Sequence, residues 1–91
     1  MTRFEFLQNT LKAIEGPREK TYGDPLKNHT RIAEAWSNIL GIDVSIHQVY
    51  ACLVAMKLSR LTNSPDHLDS WMDIAAYSAL AGELCKDDDE A

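Results

Sequence analysis

The sequence predicts an all-α fold, four helices in an antiparallel bundle, and three observations predict it. Apolar residues recur at three- and four-residue intervals in four successive segments. No strand-like alternation of any length occurs. The breaks between segments are short and carry helix-stop or helix-start signals. Connections this short set neighbouring helices side by side in opposite directions.

The first helix starts near Arg3, because Thr2 and Glu5 have the spacing of a capping box. Phe4, Leu7, Leu11 and Ile14 then form one apolar stripe, and Gly16-Pro17 ends it. The polar stretch REKTYGD, residues 18–24, is a loop. Asp24-Pro25 starts the second helix, with Asp as cap and Pro in the first turn. That helix carries Leu26, His29, Ile32, Ala33, Trp36, Ile39 and Leu40 on one side, with Asn28 at the edge of the stripe, and Gly41 closes it. Ser45 and Gln48 form a second capping box, so the third helix begins at Ile46. It is apolar almost all round, which predicts burial on most sides. The turn TNSPD, residues 62–66, follows, and Ser64-Pro65 is a candidate cap for a fourth helix running from Leu68 to about Leu84.

The chain has 91 residues, enough for one domain over residues 1–85, with an acidic, solvated tail over residues 86–91. A four-helix chain this small hardly buries its third helix alone, so a homo-oligomer is expected to complete the bundle. A net charge of −5 and a pI near 5.0 argue against nucleic acid or an anionic membrane as partner. No apolar run reaches the length of a membrane span. Cys52 and Cys85 lack metal-ligand spacing and read as small hydrophobes of a cytoplasmic protein.

Residues 53–77 concentrate the candidate chemistry. Lys57 and Arg60 precede the turn, Asp69 and Asp73 follow it, and all four lie within apolar helical patterns. By angular count Arg60 falls among Val49, Leu53 and Met56. Asp69 and Asp73, one turn apart with Tyr77 on the same face, either hold Mg²⁺ or pair with Arg60 and Lys57 across the hairpin. His29 lies near the centre of the second helix's apolar stripe and reads as either a core histidine or a ligand. His67 is either a cap or a site residue. In the loop, Arg18 and Lys20 precede a helix N-terminus and form a candidate phosphate seat, where Tyr22 can stack on a base.

Several of these residues resemble a known pattern. Arg18, Tyr22-Gly23-Asp24, Asn28, Ile32-Ala33, Trp36, Lys57-Leu58-Ser59-Arg60-Leu61, His67-Leu68-Asp69-Ser70 and Asp73-Ile74-Ala75-Ala76-Tyr77 resemble an uncharacterised family of small helical phage and prophage proteins. The likeness spans residues 2–84. That family in turn looks similar to the MazG-like all-α nucleotide pyrophosphohydrolases and to a phage domain associated with nucleotide modification. The resemblance implies a MazG-like bundle, a nucleotide or other phosphorylated small molecule as ligand, Mg²⁺ as cofactor, a homo-oligomer, and the host cytoplasm as location. Asp69 and Asp73 would then be the second acidic pair of such a hydrolase. Lys57-x-x-Arg60 stands where the first pair, Glu-x-x-Glu, belongs, which reverses the charge there. Three readings stay open: a Mg²⁺-dependent nucleoside triphosphate pyrophosphohydrolase, a non-catalytic binder that sequesters a nucleotide or cyclic-nucleotide signal, and an oligomeric module without ligand. The residues expected at a ligand are Arg18, Tyr22, Asn28, His29, Lys57, Arg60, His67 and Tyr77.

Overall fold

The computed structural model describes residues 1–15 and 23–86. These form four helices and, among the described residues, no strand: α1 (Arg3–Glu15), α2 (Pro25–Leu40), α3 (Ile46–Asn63) and α4 (Leu68–Glu83). The all-α expectation is met. Most of the tail predicted to be solvated, and the loop bearing Arg18 and Tyr22, lie outside the described residues.

The helix starts follow from local chemistry. Glu5 N–H donates to Thr2 Oγ1 at 3.1 Å and Thr2 N–H to Glu5 Oε1 at 3.2 Å. Ser45 and Gln48 repeat this reciprocal pattern at the start of α3, at 2.8 and 3.1 Å. Asp24 accepts from Leu26 N–H at 3.1 Å, with Pro25 in the first turn of α2. Gly41 ends α2 at φ 71°, a left-handed conformation that only glycine takes cheaply. The connector then turns on Ser37, whose hydroxyl donates to Ala33 O at 2.7 Å and accepts from Val44 N–H at 2.8 Å.

One start differs from expectation. Ser64 closes α3, and His67 caps α4: its Nδ1 accepts from Ser70 N–H at 3.2 Å and lies 2.7 Å from Ser70 Oγ. An imidazole nitrogen has the lone pair that the cap needs. Pro65 instead offers its carbonyl to Trp71 Nε1–H at 2.8 Å.

The helices pack as a series, with α1 on α4, α4 on α3, and α3 on α2. Side-chain pairs give the direction of the central hairpin. His47 at the start of α3 donates to the carbonyl of Ala81 near the end of α4, while Lys57 further along α3 meets Asp73 nearer the start of α4. The two helices therefore run antiparallel. The core is small: Ala33, Val49, Tyr50, Leu61 and Leu80, with Thr10 and Ser70 buried beside them.

In the single chain, three apolar features stay largely uncovered. The α1 stripe faces outward: Phe4, Leu7 and Leu11 are exposed, and Thr10 is the buried residue of that helix. α3 is covered on one side only, along Val49, Tyr50 and Leu61, while Cys52, Met56 and Leu58 are exposed. Cys85 is exposed as well, so neither cysteine serves as a core hydrophobe in the single chain. The cause is shared. Each helix packs through the face its neighbours reach, and in a chain of this size that face is narrower than the apolar stripe.

Candidate functional site

A cavity of about 390 Å³ lies among all four helices. α1 gives it Thr10, Ala13 and Ile14, Gly23 lies just before the cap of α2, and the start of α2 gives Pro25, Asn28 and His29. α3 contributes Lys57. α4 supplies a wall that alternates in chemistry, with Asp69, Asp73 and Tyr77 beside Met72, Ala76 and Leu80. This combination of an apolar lining and a few converging polar groups is what small-molecule sites share.

The polar groups converge for reasons of helical register. Asp69, Asp73 and Tyr77 are spaced by four, so they stack on one face of α4. Lys57 projects from α3 across the hairpin, and its Nζ lies 2.8 Å from Asp73 Oδ2. The side chains are 24% and 29% exposed, so the pair sits at the wall and not in the core. The hydrogen bond to Asp73 raises the Lys57 pKa above its usual value, against a smaller opposing effect of burial. Lys57 is therefore a cation at any physiological pH.

His29 projects from α2 toward α3. Its Nδ1 lies 2.9 Å from the hydroxyl of Tyr50, a fully buried side chain. The His29 ring meets Tyr50 edge-on at 4.9 Å and Tyr77 edge-on at 6.1 Å. Burial lowers the pKa of His29, so the ring is neutral at pH 7. Burial also raises that of Tyr50, assisted by Asp24 and Glu83. Two neutral groups thus share one hydrogen bond at the edge of the cavity. His29 is thus a satisfied histidine, as the core alternative has it, and it also lines the cavity.

Six of the expected site residues therefore come together: Asn28, His29, Lys57, Asp69, Asp73 and Tyr77. Two do not. Arg60 is exposed near the end of α3, because the packed side of that helix runs through Tyr50, Lys57 and Leu61. Its charge is well placed there, near the negative end of the helix dipole. Asp69 accordingly does not pair with Arg60: among the described residues Lys57–Asp73 is the ion pair formed, and Asp69 is exposed in the first turn of α4. His67 is a cap outside the cavity lining. Arg18 and Tyr22 fall outside the described residues.

Tyr50 was not anticipated as a site residue. Its signal was available: it stands seven residues before Lys57, two helical turns, and so shares that face of α3. Leu80 carried the same signal, seven residues after Asp73 on one face of α4, whereas Thr10 carried none, since only the tertiary packing of α1 on α4 brings it to the cavity.

Among the described residues, no group of three or more His, Cys, Asp or Glu side chains is placed to hold a metal ion. Among the described residues Asp73 pairs with Lys57, and Asp69 is the carboxylate of the lining without a salt bridge. Among the described residues, that donor set is smaller than a protein cage for Mg²⁺ requires.

Residues 5–85 match the model of a family described as a domain of unknown function, DUF6378. The chain belongs to this family. It is also similar to the Gene 55 protein of Mycobacterium phage L5, 31% identical over 85 residues, covering 92% of this chain and 54% of the phage protein. A second relative, the Gene 55 protein of Mycobacterium phage D29, is 31% identical over 78 residues, covering 86% of this chain and 52% of that protein. The chain thus spans about half the length of these curated relatives. No solved structure matches it. The resemblance to an uncharacterised phage family holds, and neither the family description nor these two relatives specify an activity. Among the described residues no helix is long and apolar enough to cross a membrane.

Proposed function

We propose that this DUF6378 domain binds a nucleotide, or another phosphorylated small molecule of that size, in the cavity among its four helices. One observation supports this most. A lysine held in place by an ion pair lines the same cavity as a neutral histidine, a tyrosine and a second carboxylate, Asp69, among apolar side chains. The apolar side chains and the aromatic edges suit a base, the carboxylate suits sugar hydroxyls, and Lys57 suits a phosphate oxygen. The volume of about 390 Å³ is within the range of small-ligand sites.

Binding is favoured over hydrolysis. A MazG-like pyrophosphohydrolase concentrates carboxylates around Mg²⁺, whereas here Lys57 neutralises Asp73, and among the described residues no group of three or more metal-ligating side chains gathers. The non-catalytic reading, in which the protein sequesters a nucleotide signal in the cytoplasm of a host cell, is therefore the leading one. The hydrolase reading retains one supporting observation, Asp69 and Asp73 one turn apart on the cavity wall. It requires a metal delivered with the substrate's own phosphates.

The test takes purified protein and a panel of nucleoside mono-, di- and triphosphates with cyclic nucleotides. Saturable stabilisation supports binding. Pyrophosphate release with Mg²⁺ would replace the binder reading with the hydrolase one. A flat panel would leave the domain a structural module in which Lys57–Asp73 sets helix register.

A further inference from the structure

The stripe left open on α1 has an order of its own. Phe4, Leu7 and Leu11 are 64%, 59% and 52% exposed, and Ile14 is half-buried. Their spacing of three, four and three is that of the a and d positions of two heptads. Thr10 and Phe6 take the inward side of the helix, so the stripe is not the surface by which α1 joins its own bundle.

This spacing reads the same in both directions. Laid against a second α1 running the opposite way, Phe4 meets Ile14 and Leu7 meets Leu11, in four apolar layers that repeat across a two-fold axis level with Asn9. A symmetric self-contact of this kind closes on itself. The flanking charges choose the direction. Arg3 borders one end of the stripe and Glu15 the other. Antiparallel pairing sets each Arg3 level with a Glu15 and opposes the helix dipoles, whereas parallel pairing sets like charges level.

We propose that α1 is the interface of a homodimer, packed antiparallel against α1 of a second copy of this chain. The proposal connects to the cavity through Ile14, which belongs both to the stripe and to the cavity lining. Phe4 of the partner subunit covers Ile14 and completes that wall. The seam is short. Thirteen residues at about 1.5 Å each span about 20 Å. Such a contact buries less than the roughly 800 Å² per partner of a standard interface, so the dimer forms reversibly with concentration.

Sedimentation velocity of the full chain over a wide concentration range tests this. A monomer–dimer equilibrium is expected. Leu7→Glu and Leu11→Glu, both at exposed positions, each weaken it by at least tenfold while leaving the helical circular dichroism unchanged; Leu7→Ser serves if a glutamate disturbs folding. Arg3→Glu weakens the dimer and adding Glu15→Arg restores it. With Cys52 and Cys85 replaced by serine, a mixture of Leu7→Cys and Leu11→Cys chains forms the mixed disulfide, and neither chain alone does. A monomer at every concentration overturns the proposal, as does an assembly of any size that the α1 variants leave unchanged. Self-linking of Leu7→Cys alone overturns the antiparallel register.

Discussion

Lys57 Nζ and Asp73 Oδ2 meet at 2.8 Å across the α3–α4 hairpin, on the wall of the cavity. The pair does two things. It ties together the two helices that pack most closely, and it holds a cation where a ligand can reach it. Each side chain keeps about a quarter of its surface in water. Water therefore compensates either partner if the other is lost, and the large penalty of a stranded buried charge does not apply.

Asp73→Ala is accordingly expected to cost about 1 kcal/mol, toward the upper end for exposed pairs. For a chain of this size that is a fall of about 4–8 °C in Tm. Denaturant unfolding of the variant checks this, and a loss of several kcal/mol would show that the pair is buried more deeply than its exposure indicates. The pH dependence has a definite sign. Asp73 raises the pKa of Lys57, so its contribution is complete below the unfolded lysine value of 10.5 and is lost as pH rises through the folded value. The pair is thus intact throughout the neutral range.

His29 gives the opposite behaviour. Burial lowers its folded pKa below the ordinary histidine value of 6.5, so the unfolded chain binds the proton more readily. The stabilising balance is complete above about pH 6.5 and declines as pH falls toward the lowered value. The expected outcome is that Tm drops between pH 7.5 and pH 5.5, and that His29→Phe drops less over the same interval. Equal losses in both proteins would show that other groups carry the acid sensitivity.

The capping role of His67 predicts which substitutions it tolerates. His67→Ala removes the acceptor for Ser70 N–H, which costs about 1 kcal/mol, whereas His67→Asn keeps a cap and costs little. Thermal unfolding of the two variants separates these outcomes. A cap also leaves ligand affinity unchanged, so a selective loss of binding in His67→Asn would return His67 to the site.

The exposure of both cysteines is equally direct to check. A thiol reagent added to the folded protein should titrate two groups per chain without denaturant, at Cys52 and Cys85. Reaction of one or none until denaturant is added would mean that an assembly covers them.

Much of the fold was legible because its signals are local. Thr2 with Glu5, Asp24 with Pro25, and Ser45 with Gln48 start helices through contacts within a few residues, and all three form as their spacing implies. The acidic face of α4 was legible for the same reason, since Asp69, Asp73 and Tyr77 need only helical periodicity to align. What escaped depends on which neighbour reaches which face. Arg60 and Lys57 are three residues apart, and periodicity alone treats them as equals. Only the packing of α3 on α2 and α4 separates the lysine in the cavity from the arginine in solvent. The α1 stripe is the clearest case. Its periodicity is correct, yet Thr10 faces inward and Leu7 and Leu11 do not. Periodicity marks an apolar face and does not say what covers it.

The ligand cavity is the central claim, and titration calorimetry with nucleotides tests it most directly. The account predicts saturable binding of at least one nucleotide, weakened about tenfold by Lys57→Met, a loss of about 1.4 kcal/mol. Absence of heat across the nucleotide panel at millimolar ligand, from protein shown to be folded, would contradict it. So would full affinity in the Lys57→Met variant, because the cation on the cavity wall would then have no part in recognition.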